Sequence, residues 1–176
     1  MTRTRTLVLA GLLACAPLPA FAETVTVTVN RLLLGGEIGE AIGTVRLRDS
    51  FAGMVIAPQL SGLAPGRHGF HVHQNPSCKA ATKNGRLVPG LGAGGHYDPT
   101  GTGKHLGFTG KGHLGDLPAL IVETDGKATI SLLAPRLKVS DVRGRALIIH
   151  ARGDNYSDLP KRLGGGGARV ACGLIP

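Results

Sequence analysis

Residues 74–118 form a stretch of about 45 residues, rich in Gly, Lys and His, with no sustained hydrophobic period. Almost everything else in the chain alternates. A structureless loop of that length does not persist inside a compact domain unless something pins it, and disulfides and metal ions are the usual pins. Cys78 stands near the start of the stretch, and His96, His105, His113 and Asp116 lie within it. Any fold for this chain must therefore hold a long glycine-rich loop against a scaffold of strands.

The scaffold is legible from period-2 patterning. Val25, Val27 and Val29 alternate with threonines; Val45 and Leu47 alternate with Thr44, Arg46 and Arg48; Ala128, Ile130 and Leu132 alternate with Thr129 and Ser131. Further short runs fall at 54–57, 68–73, 119–123, 145–150 and 169–175, giving about eight strands. Leu34-Gly35-Gly36-Glu37 and Asp125-Gly126 are hairpin signals. No helix start-and-stop pattern is present. These features predict an all-β fold, a sandwich or flattened Greek-key barrel, with two long loops at 74–118 and 151–168.

Residues 1–22 stand apart. Arg3 and Arg5 precede the apolar run 7–16, and Ala20-Phe21-Ala22 is a small-x-small cleavage site, so a secretory signal ending before Glu23 is expected, with one domain over 23–176. The apolar run is too short to span a bilayer, and Pro17 and Pro19 interrupt it. Leu12-Leu13-Ala14-Cys15 resembles a lipoprotein box, so attachment through a lipid on Cys15 is the alternative to a free periplasmic protein. Loss of residues 1–22 removes two arginines, taking the formal charge from +9 to +7, and leaves Cys78 and Cys172 as the remaining cysteines. Two cysteines in an exported chain suggest one disulfide. Scattered Lys and Arg and 3% aromatic content argue against a nucleic-acid surface.

Seven histidines carry the chemistry. In His71-Val72-His73 the two imidazoles share one face of a strand while Phe70 and Val72 take the core face, so both rings are expected to project outward from the barrel, close enough to share a metal. His150 has the same relation to Leu147 and Ile149. In the loop, His96, His105, His113 and Asp116 make a tetrahedral donor set suited to zinc, and several strand imidazoles suit copper. Two sites on these donors require one shared ligand. A lone His-x-His is weak evidence for a metal; the whole set points to one. His68 is expected to be structural.

These motifs resemble the copper–zinc superoxide dismutases of the bacterial, exported kind. The matching stretches are Gly69-Phe70-His71-Val72-His73, Asn75-Pro76-Ser77-Cys78, Gly94-Gly95-His96-Tyr97-Asp98-Pro99, Gly103-Lys104-His105, and Gly112-His113-Leu114-Gly115-Asp116-Leu117-Pro118. Two more are Gly144-Arg145-Ala146-Leu147-Ile148-Ile149-His150 and Gly167-Ala168-Arg169-Val170-Ala171-Cys172-Gly173. The resemblance implies an eight-stranded Greek-key barrel, immunoglobulin-like in its sandwich form. It implies copper on His71, His73, His96 and His150, zinc on His96, His105, His113 and Asp116, and His96 as the bridge. Asp154 would orient His71 and His105, Arg169 would sit beside the copper, and a Cys78–Cys172 disulfide would anchor the loop to the strand bearing Arg169. The implied reaction is disproportionation of superoxide, with His96 carrying a proton. No role transfers to Lys161, Arg162 or the insertion bearing Lys79, Lys83 and Arg86; solvated charge is the plainer reading of Lys161 and Arg162. A metal carrier on the same barrel and a polyanion-binding surface are the competing functions, and a homodimer is left open.

Overall fold

The computed structural model describes residues 23–176; the expected signal segment and Cys15 lie outside the described residues. Strand β1 (Thr24–Leu32) opens the fold, followed by β2 (Ile38–Ser50), β3 (Gly53–Leu60), β4 (Gly66–His68) and β5 (Phe70–His73). A small hairpin, β6 (Ala81–Lys83) and β7 (Arg86–Val88), precedes β8 (Leu120–Val122) and β9 (Leu132–Ala134). One helical turn, α1 (Val139–Val142), leads into β10 (Ala146–His150), and β11 (Arg169–Leu174) ends the chain.

Seven strands pair in the order β5-β10-β11-β1-β2-β3-β9, and β4 pairs with β8. Gly69 alone separates β4 from β5, so the run 68–73 is one interrupted strand that pairs β8 with its first half and β10 with its second. The sheet thereby curls back on itself. Counting that run once gives the eight expected barrel strands.

The alternation works as physics requires. Val25, Val27, Val29, Val45, Leu47, Met54, Ile56, Phe70, Val72, Leu147 and Ile149 all point into one buried cluster. At about 25 cal/mol per Å² of apolar surface, this cluster is the main favourable term of the fold. A smaller cluster on the opposite face joins Leu32, Cys78, Ala93, Ala146, Ile148 and Cys172 around the Cys78–Cys172 disulfide.

Three local expectations need correction. The strand expected over Ala128–Ile130–Leu132 forms only from Leu132, with Ala128 bridging Leu60 alone and Ile130 left 47% exposed. If the Ile56–Leu132 register ran on, Ile130 would face Pro58, which has no N–H to give the ladder. A helical turn exists where none was expected: the Asp49 and Asp141 carboxylates accept the N–H groups of Val139 and Lys138, at 2.8 Å each. Finally, the stretch 74–118, expected to carry no strand, holds the β6–β7 hairpin.

The long loop is pinned largely through its backbone. It runs along the free edge of β5, where Val72 N–H donates to Gly115 O, Tyr97 N–H to Val72 O, and Gln74 N–H to Gly95 O. His96 and Asp116 thus arrive as strand-like neighbours of His73 and His71.

Candidate metal centre

His71 and His73 leave β5 on the face away from Phe70 and Val72, and His150 leaves the end of β10 on the same side. The rings project outward from the barrel, as expected from the alternation, yet they are buried there: His71 is 0%, His73 1% and His150 7% exposed. The two long loops fold over this face and bury it. Pairing of Ile148 with His71, and His150 N–H donating to Gly69 O, sets His150 diagonally beside His71, with ring centres 4.9 Å apart. His96 stacks on His71 at 3.9 Å and lies 5.0 Å from His73. It is also 5.3 Å from both His105 and His113, so it stands between two groups of rings.

Hydrogen bonds fix which nitrogen each ring presents. His73 Nδ1–H donates to Gly94 O at 2.9 Å, and His150 Nδ1–H to Gly167 O at 3.1 Å. Asp154 accepts from His71 Nε2 at 2.7 Å with one oxygen and from His105 Nε2 at 2.8 Å with the other. Each of these rings therefore turns a bare lone pair inward. Among the described residues, the buried side-chain atoms with no hydrogen-bond partner are six: His71 Nδ1, His73 Nε2, His150 Nε2, His105 Nδ1, His113 Nδ1 and Asp116 Oδ2. Orphaned buried polar atoms are costly, and six gathered in adjoining groups are a donor set whose chemistry suits metal ions. His105 Nδ1 lies 2.9 Å from Asp116 Oδ2 without aligning for a hydrogen bond, and His113 Nδ1 is 3.5 Å from Asp116 Oδ1.

Two overlapping clusters satisfy ligand spacing: His71, His73, His96 and His150, and His71, His96, His105 and Asp116. His71 belongs by distance to both, with a single free nitrogen, and the orphaned His113 Nδ1 lies beside the second, 3.5 Å from Asp116 Oδ1.

Electrostatics follow from burial. Desolvation, with neighbouring imidazoles, holds His71 and His73 well below the ordinary histidine range and takes His150 down to about 4. Burial also lowers His96, only partly offset by Asp116. At His105 the same burial is outweighed by Asp116 and Asp154, which raise it to about 9. Burial disfavours the Asp116 and Asp154 anions, but their imidazole partners prevail and hold both well below the usual carboxylate range. Most of the rings are thus neutral and ready to ligate at neutral pH.

The cluster opens to solvent through a cavity of about 320 Å³ bordered by His73, His96 and His150 and by the cations Arg152, Lys161, Arg162 and Arg169, with no acidic group in its wall. Arg169 is clamped by the carbonyls of Gly90 (2.5 Å) and Gly94 (2.6 Å). Lys161 and Arg162, which the sequence favoured as ordinary solvated charge, thus stand in the cavity wall. Arg152 was missed; its position two residues past His150 was the available signal. The four-glycine run also has a cause. Gly164 has φ +67°, and a Cβ there would lie 1.9 Å from Asp154 Oδ1 and 2.8 Å from His105 Nε2. His68, as expected, stays outside the cluster, its two ring nitrogens each 2.7 Å from a backbone oxygen, of His150 and of Ala64.

Barrel and cluster together define a metalloprotein in which one imidazole stands between two donor groups. The copper/zinc superoxide dismutase (SODC) family model matches residues 41–175. The Cu-Zn superoxide dismutase 1 of Salmonella typhimurium (strain 4/74) is 55% identical over 172 residues, spanning 96% of this chain and 95% of that one. The solved Cu/Zn superoxide dismutase from Brucella abortus superposes with a TM-score of 0.85 at 48% identity, covering 88% of this chain and 100% of its own. The monomeric copper, zinc enzyme from Salmonella enterica gives a TM-score of 0.78 at 50% identity, with 88% and 100% covered. The chain belongs to the copper/zinc superoxide dismutase family. It is an enzyme that disproportionates superoxide to oxygen and hydrogen peroxide, with copper and zinc as cofactors.

Proposed function

We propose that copper is held by His71 Nδ1, His73 Nε2, His150 Nε2 and His96 Nε2, and zinc by His96 Nδ1, His105 Nδ1, His113 Nδ1 and Asp116. The observation that carries this assignment is the set of six orphaned donor atoms, which divides between the two groups with His96 left to face both. Four protein donors leave zinc no open position, so its part is structural and electrostatic.

Bound copper supplies the one-electron couple by which one superoxide is oxidised to oxygen and a second is reduced. The chain's own groups do the rest. Four cations without an acid in the wall draw the anion inward. Arg169, with two N–H groups committed to Gly90 and Gly94, keeps its remaining donors at a fixed place beside His73 and His96 for the incoming oxygen anion. His96 would carry one of the two protons, held at Nε2 only while that nitrogen is not a metal ligand, and would give it up toward hydrogen peroxide. A second proton from solvent completes hydrogen peroxide.

The protein acts outside the cytoplasm, in the periplasm, after removal of residues 1–22. The disulfide supports an oxidising compartment, and β1 begins one residue beyond the expected mature start at Glu23. Lipid attachment at Cys15 is the variant of this reading. Every residue of the site comes from one chain, so a homodimer would add no ligand.

The test is His71→Ala in protein loaded with both metals. Metal analysis and superoxide decay followed by stopped flow should show copper and turnover lost while zinc and the circular dichroism of the barrel remain. Full activity with copper retained would remove His71 from the site.

A further inference from the structure

Residues 154–158 hold His105 from more than one side. Asp154 Oδ1 accepts the ring at Nε2, and Tyr156 N–H donates to that same oxygen at 2.7 Å. The Tyr156 ring lies over Gly107 and edge-on to Phe108 at 5.5 Å, and its phenol oxygen accepts Ala119 N–H at 3.0 Å. Asp158 reaches the backbone: its Oδ2 accepts His105 N–H at 2.8 Å, and its Oδ1 accepts Leu163 N–H at 3.1 Å. His105 lies in a segment with no strand or helix; its peptide plane is held at the Lys104 carbonyl by His113 N–H at 2.9 Å and at its own N–H by Asp158. Its ring must nevertheless aim two nitrogens at once, Nε2 at Asp154 and Nδ1 at the zinc donors. A small rotation of the backbone would spoil both aims.

We propose that Asp158 is a positioning residue for the zinc side, setting zinc affinity by fixing the His105 backbone and, through Leu163, the glycine turn packed on Asp154. It belongs to neither donor cluster and does not line the cavity. The proposal rests on the reading that His105 binds zinc.

The experiment measures zinc and copper dissociation constants separately by chelator competition in the metal-loaded protein. Asp158→Ala should weaken zinc about 10–100-fold, the range for loss of a partner that orients a ligand, while copper shifts by less than about threefold. Asp158→Asn, which keeps one acceptor oxygen, should fall between. Cobalt(II) placed in the zinc position should show an altered visible spectrum in Asp158→Ala. Unchanged zinc affinity overturns the proposal. So does equal weakening of both metals, which would mean general loosening of the loops. His105→Ala separates the two ideas: zinc lost there but kept in Asp158→Ala refutes only the role of Asp158, whereas zinc kept in His105→Ala refutes the zinc assignment beneath it.

Discussion

Reduction of the Cys78–Cys172 disulfide should lower stability by an amount calculable from chain separation. The cysteines are 94 residues apart. In the chain-entropy model, a closed loop of that size removes about 16 cal/mol/K from the unfolded ensemble, or about 4.7 kcal/mol at 25 °C. A domain of about 150 residues unfolds with about 0.32 kcal/mol/K of entropy, so the midpoint should fall by about 15 °C. The assay is calorimetry of metal-free protein, oxidised against reduced and blocked, because bound metal would add its own linkage. A functional consequence follows from the same geometry. Cys78 lies within 75–79, which hydrogen-bonds to 90–94 through Asn75 N–H to Ala93 O and Gly92 N–H to Lys79 O. That second segment supplies both carbonyls on Arg169 and the one on His73. Reduced protein should therefore bind copper more weakly as well as melt lower. A midpoint within about 5 °C of the oxidised form would refute the entropic argument, and unchanged copper affinity would refute the relay from the disulfide to Arg169.

Three further outcomes are expected. Arg169→Glu reverses the innermost charge of an otherwise cationic mouth, and superoxide capture at low salt should slow about tenfold or more with copper content retained; an unchanged rate would remove its role. Gly164→Ala forces a residue at φ +67° and a methyl into Asp154, so the zinc lost to a chelator should rise and the melting temperature fall; wild-type retention of zinc would show that the loop yields freely. Metal-free protein should lose stability as pH falls from about 6.5 toward 4. Imidazoles depressed in the fold bind more protons once unfolded, and His150 alone, at about 4, accounts for about 3 kcal/mol by pH 4. His105, raised to about 9, acts in the opposite sense only above pH 6.5, so it does not cancel this. Urea midpoints at pH 7 and pH 4.5 check the sign, and equal midpoints would mean the rings are not desolvated in the metal-free state.

Local pattern carried much of the architecture. Val25, Val27 and Val29 had to face one way because strand side chains alternate, and they fill the core. His71 and His73 share a face for the same reason. What alternation could not supply was the environment of that face. A strand pattern says which way a ring leaves the sheet, not what lies over it, and two loops distant in sequence turn an outward face into a buried one. The interrupted strand at Ile130 escaped because its cause, Pro58, lies on a neighbouring strand. Arg152 and Asp158 escaped because a lone charge in a loop has no period, and their partners, Gly165 O and His105 N–H, are fixed only once the loops are packed.

The sequence by itself determined the strands, the pair of cysteines, the histidine inventory and the glycines that let the loops approach closely, because each follows from local sterics or residue chemistry. Only the tertiary structure decided which ring nitrogen faces inward, which Asp154 oxygen takes which ring, and that four cations line one mouth without an acid. Those depend on hydrogen bonds and field summed over segments tens of residues apart, and a linear pattern does not contain distances in space.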